Sequence, residues 1–141
     1  MKTKLSLILI INILILATSC QIFTIKGKKI VEEAAATYTQ TTPIGVVKIF
    51  TTELQNENYF AAADLMLKEN GEILTGVEKY DATNDLARMK RFIKGKTLKK
   101  ETIDTSLGYP VVTLEYTNGN KAIFYTIEKN KLFYITGCKR E

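Results

Sequence analysis

Apolar residues recur at helical spacing from Thr42 onward. Val46, Val47, Phe50 and Leu54 lie three and four positions apart, which is one face of a helix. Thr42 can cap it with its hydroxyl, and Pro43 suits the first helical position, where no amide proton is needed. Asn56, Glu57 and Asn58 interrupt the pattern. Asn58 is a plausible cap for a second helix over Tyr59 to Leu67, with Phe60, Ala63 and Leu67 on one face. Asn70-Gly71 ends it. A third helix is expected from Asp81 or Thr83 to Lys94, with a stripe of Leu86, Met89 and Phe92 or Ile93, closed by Gly95.

Beyond Thr97 the chain changes character. Threonine, β-branched and aromatic residues replace alanine, and the period falls to two. Thr97 to Thr105 reads as a polar edge strand whose lysines discourage aggregation. Val112, Leu114 and Tyr116 alternate with Val111, Thr113, Glu115 and Thr117. Asn118-Gly119 offers two positive φ angles for a tight hairpin. Ala122 to Glu128 returns as its partner, Glu128 to Lys131 turns again, and Leu132 to Thr136 is the last strand. Pro110 stands at a strand start, where its missing donor does least harm. Three helices followed by a meander of about four antiparallel strands give an α+β class, with the helices on one face of the sheet. No internal repeat is visible.

The amino-terminal pattern is different. Lys2 and Lys4 precede an apolar run of 13 residues, Leu5 to Ala17, followed by Thr18, Ser19 and Cys20. A bilayer-spanning helix needs about 20 residues, so a permanent span is the weaker reading. Charge, apolar core, small residues and cysteine in that order read as an export signal over residues 1–19, ending at a cysteine to be lipidated. The segment resembles bacterial lipoprotein signals, though Ala17 stands where leucine is usual. That resemblance implies a diacylglycerol on the Cys20 thiol, cleavage before it, and a third acyl chain on the new amine. Two or three chains hold a protein on a membrane where one does not. Gln21, rather than aspartate, follows the cysteine. In a Gram-negative host this implies the outer membrane, facing the periplasm. Residues 20–42 then form the lipidated cysteine and a tether, rich in lysine, threonine and alanine, and 43–141 form the domain.

Composition narrows function by exclusion. Without residues 1–19, 122 of the 141 remain, enough for one domain with its own core. Lys2 and Lys4 account for two of the formal charges in +5, which leaves +3 and no excess suited to nucleic acid. Lys90, Arg91, Lys94, Lys96, Lys99 and Lys100 fall close together. They read first as a solvated helix end running into an exposed strand, and second as a patch for anionic headgroups or envelope polymers. There is no histidine, which excludes Ser/His and Cys/His nucleophile pairs. With Cys20 lipidated, Cys138 is a lone thiol, expected to be buried and inert, and thiolate zinc sites are excluded. Glu32-Glu33 and Glu53/Glu57 are the closest acid pairs and look like exposed faces. Gly71 and Gly76 lack the lysine and helix start of a phosphate loop. No metal or cofactor is expected.

Asp64 is the acid of most interest, because it lies within an apolar helix. With Tyr59, Tyr116, Tyr125 and Tyr134 it could form a pocket that abstracts a proton beside a carbonyl. The stronger reading places Asp64 in solvent and the tyrosines at the edge of the sheet's core.

Pro43 to Phe50, Leu54 and Tyr59 to Met66, with the Asn118-Gly119 hairpin and Lys131 to Gly137, resemble the nuclear-transport-factor-2-like superfamily. The similarity is greatest to its small bacterial lipoproteins and covers about Thr42 to Cys138. Members often carry tryptophan in the last strand, where this chain has Phe133 and Tyr134. The resemblance implies a cone, a curved sheet around the helices with a pocket at its open end. Some members run isomerase, dehydratase or cyclase chemistry there, and others only bind. Fold alone does not choose. The expected role is a non-enzymatic binding module for a small apolar ligand or an envelope protein. A structural accessory of an envelope complex is the next reading, and an isomerase-type enzyme the third.

Overall fold

The computed structural model describes residues 38–141. The export signal, Cys20 and residues 20–37 of the expected tether lie outside the described residues. Three helices come first: α1 (Pro43–Gln55), α2 (Tyr59–Asp64) and α3 (Gly76–Ile93). Four strands follow: β1 (Leu98–Asp104), β2 (Val111–Tyr116), β3 (Lys121–Lys129) and β4 (Leu132–Arg140). They form one open antiparallel sheet in the order β1-β2-β3-β4. The class is α+β, with α1 packed on β2, β3 and β4, and α2 and α3 packed on it and on each other. Among the described residues no helix is long and apolar enough to cross a membrane.

α1 starts where its residues dictate. Thr42 Oγ1 accepts a hydrogen bond from the Gly45 amide at 3.1 Å, and Pro43 follows the cap. Val46, Val47, Phe50 and Leu54 are fully buried. Phe50 meets Phe124 of β3 edge to face, with ring centroids 5.9 Å apart. This contact adds about 1 kcal/mol to the area both rings bury.

The helix begins at Pro43 as expected, but the end of the expected tether just before it is not free of the sheet. Gln40 is already docked on the sheet. Its carbonyl accepts from the Phe133 amide at 2.7 Å, and its Nε2 donates to the Phe133 carbonyl at 2.9 Å. The chain just before α1 is therefore part of the domain.

α2 is shorter than its apolar spacing predicts. It ends at Asp64, and Phe60 is exposed while Ala62 and Ala63 are buried. Leu65 to Leu67 instead run along β4. Ile135 donates to the Leu65 carbonyl and accepts from the Leu67 amide, both at 2.9 Å. β4 needs partners along its outer edge, and these backbone bonds outweigh one more helical turn.

α3 is longer than expected. It begins at Gly76 because Thr75 and Glu78 form a reciprocal capping box. Its first turns carry exposed Val77 and Tyr80, and only the second half buries its stripe of Leu86, Met89 and Ile93.

The sheet's helix-facing side carries Val112, Leu114 and Tyr116 from β2, and Ala122, Phe124 and Thr126 from β3, with Ile135 from β4. The register changes between Tyr125 and Thr126. Tyr125 stands opposite Gly137 and Thr126 opposite Ile135, so Thr136 is the extra residue of a β-bulge. Two turns differ from expectation. Between β2 and β3 only Gly119 has positive φ, at 84°, and the Gly119 amide bonds back to the Tyr116 carbonyl at 3.0 Å. The two-residue turn with both φ angles positive is Asn130-Lys131, at 54° and 64°, between β3 and β4. β4 also continues past Thr136 to Arg140.

Candidate functional site

The tyrosines singled out in the sequence do not converge. Tyr116 is buried at the end of β2 on the helix side. Tyr125 pairs across the strands with Val111 and Gly137, and Tyr134 with Ile127, which places both on the opposite face. Tyr59 is half-buried on α2, packed against the core. Asp64 is exposed and joined to Lys79 of α3 by an ion pair. The proton-abstracting pocket of Asp64 and tyrosine hydroxyls is therefore not formed. The alternation in β3 is symmetric between apolar sets, so it carried no sign of which set faces inward.

The basic run is also divided. Lys90 pairs with Glu57, and Lys99 with Glu115 at 2.8 Å. Lys96 lays its ammonium 3.6 Å from the Phe92 ring centroid and 5.8 Å from that of Tyr116. Arg91, Lys94 and Lys100 are exposed. The ion pairs pull Glu57 and Glu115 below the usual carboxylate range, chiefly through the hydrogen bonds from Lys90 and Lys99.

Cys138 departs from the buried position expected of it, since the residue is exposed. Its thiol borders a cleft with Met66, Leu86 and Met89. Desolvation there pushes its pKa above the ordinary value, against a smaller opposite effect of Arg140. Thiolate is thus scarce near neutrality.

A groove of about 470 Å³ opens at the β3–β4 bulge. Tyr125, Ile127, Thr136 and Gly137 line it, with Glu69 at one side and Tyr109, from the β1–β2 connection, at another. The rings of Tyr109 and Tyr125 meet edge to face, 6.4 Å apart at 66°. Tyr125 Cδ2 comes within 3.5 Å of where a β-carbon on Gly137 would stand, so the ring lies over the glycine. Tyr109 is positioned by its neighbour. The Pro110 carbonyl accepts from the Thr126 amide at 3.0 Å and from the Thr126 hydroxyl at 2.8 Å. Both donors belong to a residue only 1% exposed, so the connection is pinned to β3. Tyr109 was missed in the sequence. Its only local signal is the Gly108-Tyr109-Pro110 turn before a strand.

A second cavity, of about 250 Å³, lies between α1 and the sheet. It brings together Tyr116 and Lys96, which the sequence assigned to different sites, and adds Lys48, Gln55 and Tyr38. Lys48 forms an ion pair with Glu101 of β1, their side chains only 17% and 27% exposed. Burial pulls the Lys48 pKa below the usual lysine value and pushes the Tyr116 hydroxyl above its own. The sequence signal for Lys48 was faint: a lysine beside the apolar stripe of a helix usually runs its stem along the stripe to water.

Among the described residues, no three His, Cys, Asp or Glu side chains are grouped so as to hold a metal ion. No protein-family model matches the chain, and no curated protein or solved structure is found to be similar to it.

Proposed function

We propose that this chain is a lipid-anchored protein of the bacterial envelope. Its domain, a nuclear-transport-factor-2-like cone, serves as a non-enzymatic binding module for a small, flat, largely apolar ligand. The observation that carries the reading is the pair Tyr109 and Tyr125, set edge to face over Gly137 in a groove on the sheet. Two aromatic walls and an aliphatic side chain, with Glu69 and Thr136 as polar groups at the lining, are the chemistry of a site that takes up an apolar ring and orients it. The export pattern ending at Cys20 supports the address, with the outer membrane facing the periplasm as the destination in a Gram-negative host.

Two measurements test this. Native mass spectrometry of protein purified from its own host should find a co-purifying small molecule, lost when Tyr109 and Tyr125 are both changed to alanine. Repeatedly empty protein would refute the binding role. Mass analysis of the amino-terminal peptide should find Cys20 acylated, and a free thiol there would refute the anchor.

A further inference from the structure

The cavity between α1 and the sheet has a polar side and an apolar one, the latter formed by Ile93, Leu98 and Leu114. Two ammonium groups, Lys48 and Lys96, reach it from different elements, and Tyr116 adds a hydroxyl from β2. Among the described residues, neither aspartate nor glutamate lines it. One of the two cations is answered: Glu101 pairs with Lys48 from beside the cavity. The other has aromatic faces for company and, among the described residues, no carboxylate in an ion pair. The dipole of α3 does not account for Lys96, because Lys90 and Arg91 already occupy the last turn. A half-buried lysine beside a buried tyrosine leaves one positive charge and directed donors at the edge of this cavity.

We propose that this cavity is a binding site for a small monocarboxylate with an apolar body, separate from the groove at the bulge. The carboxylate accepts from Lys96 Nζ and the Tyr116 hydroxyl, and the body lies on Leu98 and Leu114 of the apolar wall. One unanswered cation matches a monoanion. A dianion such as phosphate would bring a second charge with no partner and no use for the apolar wall. Burial keeps the Tyr116 hydroxyl protonated, and so a donor.

Benzoate is the probe, with its neutral isostere benzamide and inorganic phosphate as comparisons, each titrated calorimetrically into the full chain. Benzoate should bind at least tenfold more tightly than benzamide, as expected for a charge-assisted hydrogen bond. Lys96→Met should weaken benzoate about tenfold or more, and Tyr116→Phe severalfold. Val77→Ala, at an exposed side chain that lines neither the groove nor this cavity, should leave benzoate unchanged. Equal binding of benzoate and benzamide overturns the proposal. So does phosphate binding as tight as benzoate, or wild-type benzoate affinity in Lys96→Met. Should Lys96→Met fail to fold, the Lys96 ammonium resonance of the wild-type protein gives the answer. A shift on benzoate addition supports the site, and an unmoved resonance overturns it.

Discussion

Gly45 lies directly beneath the Thr39 carbonyl. A β-carbon there would overlap that oxygen and stand 2.7 Å from Thr42 Oγ1, the atom that caps α1. The carbonyl is backbone and cannot swing aside as a flexible side chain would. Gly45→Ala should therefore lower stability by about 1–3 kcal/mol, although alanine is the better helix former. For a domain of about this size, that is a fall of several degrees or more in Tm. Urea unfolding of the two proteins side by side measures it. An unchanged or raised midpoint would show that the segment carrying Thr39 does not pack on the helix in solution.

The capping box of α3 predicts an acid limb in stability. Glu78 is lowered from 4.5 to about 2, first by the hydrogen bond from Lys68 and then by the amide and hydroxyl of Thr75. Its folded pKa is thus below its unfolded one. The stabilisation is complete above about pH 4.5 and is lost as pH falls toward 2. Glu78→Gln should flatten this part of the stability–pH curve, followed by circular dichroism between those limits. Thr75→Ala removes the other half of the box and should cost about 1 kcal/mol at neutral pH.

Thr126 should matter to the groove more than to the fold. Thr126→Val keeps the volume but loses the hydroxyl that donates to Pro110, while the amide bond to the same carbonyl remains. Stability should fall by about 1 kcal/mol. Any ligand held by Tyr109 should lose affinity, because the connection carrying that ring is less firmly fixed. Full ligand affinity in Thr126→Val would separate Tyr109 from the binding surface.

Asn130 and Lys131 both hold positive φ between β3 and β4. Asparagine tolerates that region through its short polar side chain, whereas the β-carbon of lysine crowds the following carbonyl oxygen there without such compensation. Lys131→Gly should raise stability by about 0.5–1 kcal/mol, read as a higher urea midpoint at unchanged slope.

These particulars show which parts of the fold were legible in the sequence. α1 was plain because four buried side chains and a cap lie within one continuous segment. The strands of the hairpin were plain because alternation and turn residues are equally local. The start of α3 was missed because its Thr75–Glu78 cap leads into turns whose Val77 and Tyr80 face water, so no apolar stripe marks them. The end of α2 was misread because Leu67 serves β4, a partner remote in sequence. The site was least legible of all. Tyr116 and Tyr125 look alike along the chain, and only the pleat and the register of β2 against β3 set them on opposite faces. The Lys48–Glu101 pair joins two elements far apart in the chain, which no spacing rule could suggest.

The clasp between Gln40 and Phe133 has a mechanical meaning. Tension entering from the amino-terminal direction meets these two hydrogen bonds before it reaches the first helix. The final strand, lying deep in the chain's contour, is therefore the first to be loaded. A protein pulled from that end should resist by sharing the strain across its hydrogen-bonded ribbon instead of peeling from its tip.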